Sequence, residues 1–165
     1  LAEPKVELSS LPSIFSVRLA ACLMRNGRPS VACMKLSNER RDQVSLLADD
    51  GLFEMTRSYF GDNIAANARK MIAKYGKLAP YAALLRGDTD FAGIIEKELE
   101  KDPATKISEL KINGNILLLS GFEQKKLGEI LSGLLERVIE EPALNYEKTL
   151  VELALELDKK LSAEK

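Results

Sequence analysis

The side chains that could carry acid–base or metal chemistry in this chain are mainly carboxylates. Histidine is absent from all 165 residues, so the commonest general base and the usual zinc and haem ligands are missing. The densest acidic cluster spans 96–102, where Glu96 and Glu100 share one face of a predicted helix. Di-iron bundles add Glu-x-x-His pairs from several helices, which a chain without histidine cannot supply. We therefore predict a solvated acidic face over 96–102, with no metal, no cofactor and no catalytic residue.

Basic residues interleave with aromatic ones over 57–86, a pattern that could contact nucleic acid or a phosphorylated ligand. Near Gly121, a predicted helix start followed by two lysines could bind an anion. Neither stretch contains a phosphate-binding glycine motif. The more ordinary interpretation is a core aromatic set with a solvated basic rim, and a simple helix cap. The candidate ligand or partner contacts are Arg57, Tyr59, Arg69, Lys70, Tyr75, Tyr81, Lys125 and Lys126.

The composition indicates a folded, soluble domain with an aliphatic core. Apolar residues make up 45% of the chain and charged residues 30%, while aromatic residues make up 5% and tryptophan is absent. This balance is typical of helical bundles and not of disordered chains. The net charge is −1, with a small basic excess over 1–45, so the charge gives little support for a nucleic-acid partner.

The N-terminal third raises questions of targeting and of cysteine pairing. No run of about 20 apolar residues occurs, so no transmembrane segment is predicted. The stretch 8–38 contains no acid and resembles organellar targeting segments in composition, although we prefer retained, ordered structure there and infer no compartment. Cys22 and Cys33 do not form a C-x-x-C motif. Two buried thiols are the preferred interpretation, and a bridge between them is the alternative.

Two apolar runs flank Asn26-Gly27, which is a strong signal for a β-hairpin over 18–35. A helix over 11–25 is slightly favoured, because Ala20-Ala21 is poor strand material. From residue 37 onward the helix signals are firmer, with a short helix predicted over 52–60. The expected N-caps and stops are Ser37, Asp62 and Asp88 or Asp90, and Gly51, Gly61, Gly76 and Gly87.

The sequence "SELKINGNILLLSG" (108–121) fits two different structures. With alternating apolar residues about Asn113-Gly114, it would form a β-hairpin over 108–119. Alternatively, Asp102-Pro103 begins a helix that ends at the same glycine, and a second helix follows a loop. The caps favour this helix–loop–helix arrangement.

Two long helices are predicted to close the chain, one over 121–141 from a capping box at Ser120 and one over 143–163 after a proline. The first of these contains Gly128 and Gly133. Each glycine costs about 1 kcal/mol relative to alanine inside a helix. We therefore predict close contact at both glycines between this helix and a neighbour, which belongs either to its own domain or to a partner.

These patterns together predict a mainly α fold, an irregular bundle of about six to eight helices. One short β-hairpin, over 18–35 or 108–119, is the structural alternative. An extended arm over 1–12 is expected to precede a single helical domain over 13–165. The predicted function is that of a non-catalytic structural or interaction subunit that contacts other protein subunits. The alternative is a small-molecule sensing domain with a pocket near Tyr59, Tyr75 and Tyr81.

Overall fold

The computed structural model describes residues 11–25, 34–48 and 63–163, and every regular element in these ranges is helical. This confirms the predicted mainly α class. None of the helices in these ranges combines the length and the apolar character that a membrane crossing requires. In chain order the α-helices are α1 (Phe15–Arg25), α2 (Asn38–Leu47), α3 (Ile64–Tyr75), α4 (Ala79–Leu84), α5 (Thr89–Glu100), α6 (Gly114–Leu119), α7 (Leu127–Glu140) and α8 (Glu147–Ala163).

Contacts between residues divide the chain into two compact units, Leu1–Glu100 and Lys101–Lys165. Each unit contains its own cluster of buried apolar side chains. Of the predicted arm, residues 1–10 lie outside the described ranges, while Leu11 is buried in the core of the first unit. That residues 13–165 form a single domain stays a prediction.

The core of the first unit is aliphatic and rich in alanine. Helices α3 and α4 both pack on α5, and α1 packs on α2. The buried Ser16 hydroxyl of α1 donates a hydrogen bond to Gln43 Oε1 of α2 at 2.7 Å. Small side chains let helix backbones approach closely, and the buried alanines of α3, α4 and α5 are Ala66, Ala68, Ala79, Ala82, Ala83 and Ala92.

Side-chain caps begin the helices of the first unit much as the sequence predicts. Ser37 Oγ, Asn63 Oδ1 and Asp88 Oδ1 each accept a hydrogen bond from the backbone N–H three residues later, which satisfies a donor that the helix leaves open. The cap of α3 lies one residue after the predicted aspartate. Gly76 and Gly87 have φ angles of 55° and 78°, the left-handed conformation expected of a helix stop. The helix predicted over 52–60 lies outside the described residues, as do Gly51 and Gly61.

The predicted hairpin over 18–35 is wrong where the structure describes it, because residues 18–25 belong to α1. The helix begins at Phe15, a few residues later than predicted. Cys22 lies half-buried on this helix, while Cys33 falls outside the described residues, so pairing between the two cysteines stays untested.

The segment 101–113 differs from both structures that the sequence suggested. Asp102 has a φ of 48°, a left-handed conformation that does not begin a helix, and only a short 3₁₀ helix, Ile107–Glu109, follows. Asn113 starts α6 instead of a turn, because its Oδ1 accepts a hydrogen bond from the Ile116 N–H at 3.1 Å. The helix predicted after residue 102 is therefore wrong, because Asp102 does not begin it. The hairpin over 108–119 is also wrong, because the Asn113 cap makes "NILLL" part of a helix.

The second unit is built on α7 and α8, which pack against each other. The predicted capping box does not form, because the Ser120 hydroxyl donates back to the Ile116 carbonyl at 2.9 Å. Helix α7 therefore starts later than predicted, after a 3₁₀ turn over Gln124–Lys126. Helix α7 buries Ile130, Leu134 and Val138, and α8 buries Leu150 and Ala154.

The two glycines of α7 have different surroundings. A Cβ atom on Gly133 would lie 3.0 Å from Leu157 Cδ1, which confirms the close contact predicted there. A Cβ atom on Gly128 would meet no atom within 4 Å, so no described residue packs closely there, and contact with a partner at Gly128 stays a prediction. On α5, Gly93 is equally open.

These differences predict opposite outcomes for two alanine substitutions. Gly93→Ala should raise the free energy of unfolding by about 0.5–1 kcal/mol, because it removes the entropy cost of a helical glycine without any clash. Gly133→Ala should give no such gain, because the new methyl group must displace the Leu157 side chain. Urea unfolding followed by circular dichroism measures both. Equal stabilisation by the two substitutions would contradict the close packing of α7 on α8.

Candidate functional site

The candidate contact residues that the structure describes are divided between the first unit, with four of them, and the second, with Lys125 and Lys126. Arg57 and Tyr59 lie outside the described residues. Tyr75 is buried in the aliphatic core of the first unit, and Tyr81 is half-buried and packs against the same core. Lys70 is half-buried on α3. Their roles as ligand contacts stay predictions.

Arg69 has a structural partner that the sequence analysis missed. Its Nη1 atom donates to Glu98 Oε2 at 2.9 Å, and the two side chains are only 7% and 6% exposed. The pair joins α3 to α5 inside the first unit. The solvated acidic face predicted over 96–102 is therefore wrong for Glu98, although Glu96 and Glu100 are exposed.

A periodic signal for this buried carboxylate was present in the sequence. Glu98 follows the buried Phe91 and Ile95 at spacings of seven and three residues, which places it on the apolar face of α5. A charge on an apolar face requires a partner of opposite charge. The sequence does not show which cation supplies that partner.

The lysines near residue 121 do not surround a free helix start. The N–H groups of Gly121 and Phe122 donate to carbonyl groups of α6. Lys126 Nζ donates to Asp158 Oδ1 at 2.8 Å and to Ser162 Oγ at 3.0 Å. The hydrogen bond to Asp158 raises the pKa of Lys126. Lys126 therefore joins the start of α7 to α8. Lys125 is exposed.

The structure points to a different candidate site, the segment 101–113 of the second unit. This segment has little regular structure of its own, and side chains hold it in place. The Glu109 carboxylate accepts hydrogen bonds from the backbone N–H groups of Thr105 at 2.7 Å and Lys106 at 3.0 Å. The Thr105 N–H donor is the main reason why the pKa of Glu109 lies below its ordinary value of 4.5.

Asn145 fixes the same segment from the other side. Its Oδ1 accepts a hydrogen bond from the Lys111 N–H at 2.8 Å, and its Nδ2 donates to the Glu109 carbonyl at 3.2 Å. One amide side chain thus satisfies a donor and an acceptor of the backbone, as a neighbouring β-strand would. Apart from the short 3₁₀ helix Ile107–Glu109, the segment is therefore held by side chains instead of by a helix or a sheet.

Two depressions of the surface lie along this segment and share Lys111. The first, which we call the apolar groove, has a volume of about 400 Å³ and is lined by Ile107, Ser108, Leu110, Lys111, Ile112, Asn113, Gly114 and Leu131. The second, which we call the polar cavity, has a volume of about 320 Å³ and is lined by Asp102, Pro103, Ala104, Glu109, Lys111 and Asn145. Both volumes are in the range of ligand sites.

The chemistry of this site suits binding better than proton transfer. A general acid or base works best with a pKa near neutrality, whereas the pKa of Glu109 is lowered. The carboxylate oxygen that accepts both backbone N–H bonds is also committed to Thr105 Oγ1 at 3.3 Å. Within the described ranges, no three acidic or cysteine side chains are grouped as metal ligands.

Apolar side chains are exposed next to the same segment. Ile107 and Leu118 are 41% and 42% exposed, and Leu119 is 90% exposed. In the remainder of the described residues, the large apolar side chains with comparable exposure are Phe15, Tyr146 and Leu155. The stretch 107–119 therefore concentrates half of the exposed large apolar residues found in the described ranges.

Comparison with protein-family models, with curated proteins and with solved structures found no match to this chain.

Loss of one partner of the buried ion pair should destabilise the protein severely. Arg69→Met leaves the Glu98 carboxylate buried without its arginine, and we expect the free energy of unfolding to fall by about 3–5 kcal/mol. The double substitution Arg69→Met/Glu98→Leu removes both charges and should recover much of that loss. Urea unfolding monitored by circular dichroism measures these values, with the exposed Glu96→Gln as the matched control. A loss below about 1 kcal/mol for Arg69→Met would contradict the pairing.

The hydrogen bonds that the Glu109 carboxylate accepts from Thr105 and Lys106 should make the stability of the fold depend on pH under acidic conditions. Because the pKa of folded Glu109 is lowered from 4.5, its contribution is complete above the unfolded pKa and is lost as the pH falls through the folded pKa. Glu109→Gln should therefore lower stability at pH 7 by about 1 kcal/mol or less, since solvent screens this exposed group.

The difference between wild type and Glu109→Gln should shrink as the pH is lowered below about 4.5. Thermal unfolding at a series of pH values measures it. Glu136→Gln, on the exposed face of α7, is the matched control for loss of a carboxylate. A difference that stays constant down to pH 3 would show that ionised Glu109 does not hold the segment.

Proposed function

We propose that this chain is a non-catalytic helical interaction subunit of a larger protein assembly, and that the stretch 107–119 of its second unit forms the contact surface. The single observation that carries the proposal is the exposure of Ile107, Leu118 and Leu119 within this one short stretch, in which Ile107 also lines the apolar groove. Exposed apolar residues that are concentrated in one part of a surface are characteristic of interaction sites.

Burial of these exposed side chains against a partner would be favourable in free energy. Complete burial of one leucine side chain is worth about 1.5–3 kcal/mol, and Leu119 leaves nine-tenths of its surface in water. Helix α6 ends at this leucine and is held by the Asn113 cap and the buried Leu117. The surface is therefore preorganised, which lowers the entropy cost of binding.

The charged side chains of the second unit support a binding role in the same way. Lys126 joins α7 to α8 through Asp158, and Glu109 holds the backbone of its own segment. These hydrogen bonds hold the fold together, and the lowered pKa of Glu109 does not suit proton transfer at neutral pH.

A second candidate function is small-molecule binding, and the volumes of the apolar groove and the polar cavity favour it. The pocket expected near Tyr75 and Tyr81 receives less support, because Tyr75 is buried in the core. Thermal-shift screening of wild type separates this function from the first. A metabolite that raises the melting temperature of wild type, and does so less for Lys111→Ala, would favour the sensing domain.

Native co-purification tests the proposed interaction. The tagged full chain is isolated from its source at low salt, and the eluate is analysed by light scattering and mass spectrometry. We expect wild type to retain a stoichiometric protein partner and Leu118→Ser/Leu119→Ser to lose at least about 90% of it, because removing central apolar contacts typically costs several kcal/mol of binding.

Leu155→Ser is the matched control, since Leu155 is 48% exposed on α8 and lies outside 107–119. All variants should keep the wild-type melting temperature within a few degrees. A wild-type chain that elutes alone, or one that retains nucleic acid in place of protein, would contradict the proposed function.

A further inference from the structure

We propose that the apolar groove and the polar cavity together bind an extended polypeptide segment of a partner protein, in which an apolar residue stands beside a carboxylate. This inference rests on the proposed function and names the chemistry that the partner presents. It is carried by the order of apolar, basic and acidic side chains along the segment 101–113.

The apolar groove offers a site for one large aliphatic or aromatic side chain. Leu110 and Ile112 are buried in the core of the second unit and also line the groove. Ile107 lines the same groove and is 41% exposed. Leu131 contributes a further apolar side chain from α7. Four of the eight residues that line the groove are therefore apolar, and they offer contact to an apolar side chain among the polar groups of the groove.

Lys111 is the one charged residue among those that line the apolar groove. Its backbone is fixed by the hydrogen bond from its N–H to Asn145 Oδ1 at 2.8 Å, and its side chain is exposed. An ammonium group on a fixed backbone beside an apolar groove is complementary to an apolar residue with a neighbouring carboxylate.

The polar cavity supplies charges of the opposite sign on the other side of Lys111. Asp102 and Glu109 both line it, together with Lys111 and Asn145. Two carboxylates in the cavity that Lys111 also lines would oppose a polyanion there, which favours a polypeptide over the phosphate backbone of a nucleic acid. A polypeptide can alternate its charges, and a basic residue beyond the carboxylate would face the polar cavity.

The expected recognition sequence is therefore an apolar residue, then an acidic residue, with a basic residue following. Apolar contact and charge would both contribute to the attraction, and the charges would set the direction and register of the segment. The same ordering predicts that reversal of the charge at residue 111 changes which peptides bind.

A random octapeptide library displayed on phage is the probe that tests this inference. It is selected against the immobilised full chain, against Lys111→Glu and against Ile107→Ser. Wild type should enrich peptides that place Asp or Glu beside an apolar residue. Lys111→Glu should weaken binding of those synthetic peptides on the order of tenfold, because like charges now face each other, and should enrich Lys or Arg in the same place. Ile107→Ser should weaken the preference for the apolar residue.

Lys125→Glu is the matched control, because it makes the same charge change at an exposed lysine outside both depressions. It should enrich the same peptides as wild type. Enrichment of no common sequence, equal binding of the wild-type peptides by Lys111→Glu, or Lys111-dependent binding of fluorescent polyuridine without any peptide binding would each overturn the inference.

Native co-purification separates the failure of this inference from the failure of the proposed function. In one outcome, binding of a protein partner requires Leu118 and Leu119 but is unaffected by Lys111→Glu and Ile107→Ser. That outcome would support the proposed interaction function and overturn the inference that the groove is the peptide site. Loss of the partner from both of these variants, with Lys125→Glu unaffected, would support the inference. A wild-type chain that retains no protein partner would overturn both the proposed function and this inference.

Discussion

A core without tryptophan and with few other aromatic side chains must gain its stability from close contact between aliphatic helices. Small residues make that contact possible, because the distance between two helix axes depends on the side chains between them. The buried alanines of α3, α4 and α5 serve the first unit in this way. In the second unit, Gly133 lets Leu157 of α8 lie against the backbone of α7. The amphipathic stripe of each helix then supplies the remaining apolar burial.

The Arg69–Glu98 pair imposes a different constraint on the same tightly packed unit. Two charges removed from water cost several kcal/mol each unless they meet with good geometry. Their 2.9 Å contact inside the first unit meets that condition. Such a pair restricts how α3 and α5 can slide or rotate past each other, because a shifted register would bury an unpaired charge. It therefore adds specificity to a core whose alanines alone would permit several alignments.

The segment 101–113 shows how side chains can hold a backbone that contains no α-helix or strand and only one short 3₁₀ helix. Glu109 accepts from N–H groups of its own segment, and Asn145 bonds to backbone groups on either side of residue 110. Because these bonds use the backbone and few of the neighbouring side chains, the surface beside them stays open. An ordered but uncovered backbone segment, with apolar residues at its edge, is well suited to binding an extended chain.

Sequence alone determined the features that depend on neighbours along the chain. Ser37 caps α2, Asp88, one of the two predicted aspartates, caps α5, and Gly76 and Gly87 follow the ends of α3 and α4. Each of these features depends on residues within one or two turns. The predictions for the start of α7 and for "NILLL" were wrong, because Asn113 caps α6 and the Ser120 hydroxyl bonds back to the same helix instead of capping α7.

Only the tertiary structure decided which distant residues meet. Arg69 and Glu98 are 29 residues apart, and Lys111 and Asn145 are 34 apart. A pattern in sequence can show that a buried charge or a turn amide needs a partner, but many residues could supply it. The packing of whole helices selects one of them, and for that reason the candidate site on 101–113 could not be found before the fold was known.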